Sequence, residues 1–371
     1  MAGSFIRRAT KTVILFINLF VAVIFLLACI TPFAPTANWW ILGFTGLAVP
    51  YAIIILFFFV IFWLIVKPKL SLISIIVLCI GWQQIGVIAA VKPGPMLSDR
   101  KRENHIRIID WNIQSFNGLS KKPLVKKQIR KDIAASILLL EPDIVCLQEF
   151  NNSELGGAQT NNIELFKKRY KYFYFSKDYT RNDGAYQSGC IIFSKYQIID
   201  SGKIKFPVAE SLIYVDILKG TDTIRIFNTH LQSFKFKQND YSDIEKIREQ
   251  DAKTIDASMN LFNKMGQAFK RRGPQAELVK KTLASTPYPS IICGDFNDVP
   301  NSYTYFTIRN KWQDAFLQKG FGIGSSFTTL APTLRIDYIL ASPQFDIVTF
   351  DMIDEGLSDH VMLVSDVQLK K

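Results

Sequence analysis

Acidic side chains are missing from the first 90 residues of this 371-residue chain, although the whole carries 32 Asp and Glu against 44 Lys and Arg, for a net charge of +12. A stretch without carboxylates and with few polar groups of any kind is not an ordinary soluble segment, whose surface would need them. Histidine is scarce too: His105, His230 and His360 are the only three. The five cysteines lack a zinc-ligand spacing. Cys146, Cys190 and Cys293 each lie in an apolar, strand-like run, which reads as small buried side chains rather than bridges. No glycine-rich dinucleotide fingerprint follows a first strand, and no Gly-Lys-Ser/Thr loop occurs. Gly156-Gly157 is an isolated pair in a polar turn.

Hydrocarbon fills the acid-free stretch. Residues 12–30 are almost wholly apolar and, at about 1.5 Å per residue, approach the roughly 30 Å hydrocarbon core of a bilayer. Residues 40–66, broken only by Pro50, and residues 70–90, with Gln83 and Gln84, follow in the same style, which predicts three membrane spans. A cleaved leader is the competing reading of the first, because Arg7, Arg8 and Lys11 precede it and Ala28 lies near its end; two more spans directly behind it favour the hairpin. The same basic residues favour a cytoplasmic N-terminus, and Lys67 with Lys69 returns the second connection there. Three crossings then place the remainder outside a bacterial inner membrane. Lys92, Arg100, Lys101 and Arg102 oppose that placement, but they precede a long domain, where the rule weakens. The organisation read from the sequence is a transmembrane region over residues 1–91, a connector over 92–103 and a folded domain over 104–371.

That domain alternates strands with helices. Extended runs are predicted at His105–Trp111, Asp143–Leu147, Gly189–Phe193, Ser211–Leu218, Thr223–Thr229, Ser290–Cys293, Arg335–Leu340, Ile347–Phe350 and His360–Val367. Helices are predicted at Leu124–Leu140, Tyr241–Phe269 and Gln275–Ala284, with Gly273-Pro274 breaking the last two. The class is α/β.

Polar side chains with chemical uses collect where these strands end. Asn112 closes the first strand and Gln148-Glu149 a later one. A lone Asn or Glu there would be an ordinary strand-end hydrogen bond, whereas recurrence suggests oxygen donors for a hard cation such as Mg²⁺. His230 closes Asn228-Thr229-His230, and its imidazole reads either as a strand cap or as a group that stabilises phosphoryl oxygen. In Gly294-Asp295-Phe296-Asn297 the glycine permits a close turn, Asp295 suits water activation and Asn297 suits orientation. Asp298 reads as a turn or cap residue. Asp337 could orient His360, leaving the adjacent Asp359 to hold metal or phosphate, since consecutive side chains on an extended segment point apart.

Trp111-Asn112, Gln148-Glu149, Asn228-Thr229-His230-Leu231, Gly294-Asp295-Phe296-Asn297, Arg335-Ile336-Asp337-Tyr338 and Ser358-Asp359-His360 occur in the order seen in the endonuclease/exonuclease/phosphatase superfamily. The chain resembles that family, including its bacterial membrane-anchored members, over about residues 104–370. The resemblance implies a four-layer α/β sandwich with two central β-sheets. It implies Glu149 as the principal Mg²⁺ ligand, with Mn²⁺ as the alternative ion, and Asn112 and Asp359 completing the metal environment. Asp295, assisted by Asn297, would position or deprotonate the attacking water; His360, oriented by Asp337, and His230 would bind phosphate. Some accounts of the family make the histidine the base instead, and the sequence does not choose. The reaction implied is in-line phosphoester hydrolysis without a covalent intermediate.

The substrate is open between classes. Tethering to a lipid bilayer favours a phospholipid head group or related surface phosphate; an extracytoplasmic DNase I-like nuclease acting on nucleic acid is the alternative, and a non-catalytic phosphate-binding receptor a third reading. Lys121, Lys122, Lys126, Lys127, Arg130 and Lys131 read as a solvated helix face or a phosphate-attracting patch. Phe234-Lys235-Phe236-Lys237 reads as a membrane or base contact, or as a plain loop.

Overall fold

Where the sequence is uncharged and apolar the backbone is helical, which satisfies its polar groups internally. The computed structural model describes residues 2–95, 97, 101–117, 122–157, 160–208, 210–236, 240, 244, 254–327 and 329–370. The chain divides into two compact units, one of residues 1–89, 237–274 and 299–307, the other of residues 90–236, 275–298 and 308–371.

In the first unit, α1 (Ala2–Ile30) and α2 (Leu42–Val66) are long and apolar enough to cross a membrane, and Pro50 sits inside α2 without ending it. The third predicted span is different. Residues 70–90 fall on two helices, α3 (Pro68–Ile80) and α4 (Trp82–Ile88), bent by 67°. Among the described residues two helices therefore qualify as spans, and a third only if the bent pair counts as one. The break is at Gly81, which lies so close to Phe25 and Cys29 of α1 that a Cβ has no room, and whose ψ of 18° leaves the helical region. Buried polar groups join the helices. Asn18 Nδ2 donates to Ser74 Oγ at 2.8 Å, and Trp63 Nε1 donates to Asn18 Oδ1 at 3.0 Å. Such bonds between apolar helices are worth on the order of 1 kcal/mol each.

Among the described residues the two large sheets of the second unit are formed chiefly by β1 (Ile106–Asn112), β2 (Ile144–Ser153), β3 (Tyr172–Phe175), β4 (Tyr186–Ser194), β5 (Gln197–Lys205), β6 (Ser211–Lys219), β7 (Asp222–His230), β8 (Ser290–Asp295), β9 (Gln313–Asp314), β10 (Asp337–Ala341), β11 (Phe345–Ile353) and β12 (Met362–Leu369), while Ala90–Val91 and Phe321–Gly322 pair in a small sheet of their own. One sheet runs β11-β12-β1-β2-β4-β3, with Tyr179–Arg181 also pairing on β4; the other runs β9-β10-β8-β7-β6-β5. Each has a parallel pair, β1 with β2 and β7 with β8, among antiparallel neighbours. Both sheets are mixed.

Alternation gives each sheet an inner face. Ile108, Ile144 and Cys146 from one sheet share a core with Ile213, Ile226 and Ile291 from the other. On the opposite face of the first sheet, Trp111, Val145 and Leu147 pack with Ile133 and Ile137 of α5 (Pro123–Leu139). Each fully buried Ile or Leu stabilises by about 1.5–3 kcal/mol. The class predicted from sequence, α/β, is the one observed. Cys146, Cys190 and Cys293 are buried and unbridged, as expected.

One helical expectation fails. Residues 254–284 form a single helix, α6 (Thr254–Ala284), running through Pro274 where the sequence predicted a break. The missing backbone hydrogen bond costs roughly 3 kcal/mol. Burial of Phe269 before Pro274, and of Ala276, Val279 and Leu283 after it, offsets that cost. The predicted start of this helix, at residues 241–243 and 245–253, lies outside the described residues.

Candidate active site

Register brings the strand ends to one level. Asn112 of β1 pairs with Gln148 of β2, and Asp295 at the end of β8 stands between His230 of β7 and Asp337 of β10. Gly294, at φ 150°, approaches Thr229 so closely that a Cβ would strike its carbonyl oxygen, so only glycine fits. The pairing of β2 with β4 slips between Leu147 and Phe150, and Glu149 in the slip takes φ 51°. Such a bulge re-aims a side chain out of the regular pleat, at a backbone cost of order 1–3 kcal/mol.

The carboxylate of Asp295 is held on both oxygens. Asn112 Nδ2 donates to Oδ2 at 3.0 Å and the Asn297 N–H to Oδ1 at 2.7 Å. Asn297, at φ 53°, is itself tied by Nδ2 to the Leu231 carbonyl at 3.0 Å. Asn112 Nδ2 also lies 3.5 Å from Glu149 Oε1. His360 Nδ1 contacts both oxygens of Asp337, at 2.9 and 3.1 Å, and Trp111 Nε1 donates to the His360 carbonyl at 2.8 Å. That leaves His360 Nε2 facing Asp295 Oδ2 at 3.8 Å. His230 Nε2 stands 3.5 Å from the same oxygen and 4.0 Å from Glu149 Oε1, yet it is buried with no hydrogen-bond partner. Asp359 joins through Gln114, whose Nε2 donates to Asp359 Oδ2 at 3.0 Å while its N–H donates to Asn112 Oδ1 at 3.1 Å. All eight residues singled out from the sequence are thus linked in one cluster.

Burial pushes the Asp337 carboxyl up to about 6, against the pull of His360. The same burial opposes charge on His360, but Asp337 and Asp295 outweigh it and raise the imidazole to about 10. For His230, burial is likewise overcome by Glu210, Asp295 and Glu149, and the net shift is upward. Asp359 is raised by burial. Carboxylates outnumber imidazoles here, and Asp295, Asp337 and His360 bring one donor atom each within 4.8 Å of one another. Glu149 and Asp359 add two further carboxylates to this acidic surround, which together fits a divalent cation, Mg²⁺ and Mn²⁺ alike.

Behind these groups Gln148 and Asn228 turn inward, and Gln148 bonds to a carboxylate, Asp110, that strand-end reading did not reach. Gln148 Nε2 donates to Asp110 Oδ1 and to Asn228 Oδ1, both at 2.7 Å, and Asn228 Nδ2 donates to the Leu147 and Ile191 carbonyls. Asp110 is fully buried, and its carboxyl is raised by that burial and by Asp337. Glu210, in the loop before β6, is an acid near His230 that no strand-end pattern marks. Phe234 and Phe236 stack on one another at 5.3 Å; Lys237 lies outside the described residues.

Residues 111–360 match the Endonuclease/Exonuclease/phosphatase family, more than half of the chain, and the chain belongs to that family. Residues 11–88 match a domain of unknown function. No curated protein matches the sequence. Among solved structures the chain is similar to the endonuclease/exonuclease/phosphatase from Beutenbergia cavernae DSM 12333, with TM-score 0.50 and 19% identity over 72% of this chain and 72% of that one. It is similar also to the human Nocturnin catalytic domain with bound sulfate anion, with TM-score 0.50 and 19% identity over 72% of this chain and 95% of that one. At such identity the likeness concerns the fold. Family and acid–imidazole cluster together define a metal-dependent phosphoesterase.

Proposed function

We propose that the protein hydrolyses a phosphodiester in line, with water as nucleophile, on a four-layer α/β sandwich of the DNase I type. The observation that carries this reading is the continuous set of contacts from Asp337 through His360, Asp295 and Asn112 to Glu149, with His230 Nε2 buried beside it and unbonded. Asp295, fixed on both oxygens, orients the water and takes its proton. His360, held by Asp337 and Trp111, presents Nε2 to one non-bridging oxygen, and His230 presents its own Nε2 to another. Both imidazoles thereby stabilise charge that grows at phosphorus in the transition state. Glu149, with Asn112 and Asp359, would hold a divalent ion, which supplies Lewis-acid polarisation of the phosphoryl group when bound.

For the substrate, the nuclease reading goes ahead of the lipid head group that the sequence favoured. The residues that support catalysis belong to a family of nucleases and phosphatases, whereas the lipid preference rests on the apolar helices alone. A membrane location is supported by the exposed faces of those helices, among them Phe16, Phe20, Phe57 and Phe58. Contacts along α1 support the bent pair as one crossing. Ser74 stands at the level of Asn18, and Gln84 Nε2 donates to the Cys29 carbonyl at 3.2 Å, so α3 and α4 climb beside α1 in the same direction. The antiparallel α2 meets the same levels, at Trp63 and at Thr45, whose Oγ1 is 3.2 Å from that of Thr31. On this reading the chain leaves at residue 90 on the side away from Arg7, Arg8 and Lys11, outside the cytoplasm. The test is hydrolysis of matched DNA and phospholipid panels by full-length protein in detergent with Mg²⁺, alongside D295A and H360A. DNA cleavage lost in both variants supports the nuclease; preferential lipid cleavage returns the head-group reading; no turnover of either with any divalent ion sinks the proposal.

A further inference from the structure

The first half of α6 carries an apolar stripe of which one end is covered and the other is open. Ile255, Met259, Phe262, Gly266, Phe269 and Gly273 recur at helical spacing and fall within about 40° of one line at 100° per residue. From Phe262 onward the stripe meets the far end of the apolar helices. Phe262 stacks on Phe44 at 4.8 Å and meets Trp40 edge-on at 5.4 Å, and Phe269 meets Phe44 at 5.2 Å. Gly266 lies under Trp40 and Gly273 against Thr36, with no room for a Cβ at either. Lys270 Nζ sits 4.9 Å over the Trp40 ring. Toward the N-terminal end the same line stays exposed, Ile255 at 77% and Met259 at 55%. Trp39, Ile41 and Phe33, on the connection between α1 and α2, are exposed at the same end of the bundle.

We propose that residues 255–262 of α6 form an interfacial helix lying on the bilayer surface, with Ile255 and Met259 at the boundary between head groups and acyl chains. The inference rests on the membrane reading of α1 and α2. The occupant is lipid because the open stripe is continuous with a face covered by the end of α2, whose outer side chains already face hydrocarbon on that reading. Exposed aromatics at this end fit the interfacial zone that Trp favours, and Lys270 beside Trp40 suits anionic head groups. Polar Asp256, Asn263 and Gln267 lie about a quarter-turn or more away from the line, as a helix lying flat requires.

Nitroxide labels on cysteines introduced one at a time into the full-length Cys29→Ser, Cys79→Ser protein, whose remaining Cys146, Cys190 and Cys293 are buried, test this in phosphatidylethanolamine–phosphatidylglycerol vesicles. Labels at Ile255→Cys and Met259→Cys should show a ratio of oxygen to water-soluble nickel-chelate collision several-fold above that at Asp256→Cys and Asn263→Cys. Equal ratios at all four sites overturn the proposal. So does exclusion of both reagents from 255 and 259, which means protein covers the face, and so does spin–spin broadening there, which means a second copy does. Labels at Phe20→Cys and Phe58→Cys separate the two failures. If these are shielded from the chelate while 255 and 259 are not, the interfacial helix alone is wrong; if they are also open to it, the membrane reading is wrong.

Discussion

Replacing Asp337 with Asn keeps the side chain's shape and removes its charge, and His360 is the group that registers the change. Its Nδ1 lies 2.9 Å from an Asp337 oxygen, with both side chains buried. A hydrogen bond to a charged partner is worth about 1.5–3 kcal/mol, which at about 1.4 kcal/mol per unit corresponds to roughly one to two pKa units. The His360 midpoint, raised to about 10 in the native protein, should fall by that much in Asp337→Asn, because burial is then opposed chiefly by Asp295. The sign for stability follows. A histidine raised from 6.5 to about 10 contributes stability that is fully present below its unfolded pKa and is lost as pH rises through the folded one. Asp337, raised from 3.8 to about 6, contributes only where it is protonated, and loses that contribution as pH rises through about 6. Between neutrality and about pH 10, His360 therefore dominates the pair, and the alkaline limb of the stability curve should move to lower pH in the variant. Turnover should fall by up to about 10²–10³, the range for losing one charge-stabilising donor. The assay is titration of ¹⁵N-labelled histidine in chelator-treated protein, where three imidazoles give a resolvable set. An unchanged His360 midpoint would refute the reasoning.

Glu149→Gln should raise the divalent-ion concentration for half-maximal hydrolysis by at least about tenfold with the fold intact by circular dichroism; an unaltered metal dependence removes Glu149 from the cation site. Gly294→Ala drives a Cβ onto the Thr229 carbonyl at a positive φ, and thermal unfolding should reveal a loss of about 2–4 kcal/mol. A wild-type melting temperature would mean that the strands part without strain. Asn18→Leu removes contacts to Ser74 and Trp63 and should cost about 1–2 kcal/mol in detergent unfolding titrations. No change there would mean that apolar packing alone joins α1, α2 and α3.

Strand-end residues were legible in the sequence because period-two runs mark where strands stop. Asn112, Glu149, His230 and Asp295 each follow such a run, and the structure gathers them. What was hidden depends on distance in the chain or on backbone geometry. The bulge that turns Glu149 arises from how β2 pairs with β4, some forty residues on, and no local pattern signals it. Gln114 reaches Asp359 because residues 114–116 take positive φ, an arrangement that Gln, Ser and Phe do not announce. Asp110 looks like one polar member of an alternating strand, yet it is buried between the sheets with Gln148. Pro274 reads as a helix breaker, and only the burial on either side of it keeps α6 whole. Gly81 reads as one small residue in an apolar run, and its approach to Phe25 is what divides the expected third span.

On the proposed reading, Asp295 and His360 hydrolyse a phosphodiester with the help of a divalent cation. The most direct measurement is the rate of bis(p-nitrophenyl) phosphate hydrolysis by chelator-stripped, full-length protein as Mg²⁺ or Mn²⁺ is added back, with D295A and H360A in parallel. The account predicts no turnover without the ion, saturable recovery with it, and recovery reduced by about 10² or more in both variants. Equal turnover in the chelator, or equal recovery in D295A, would contradict it.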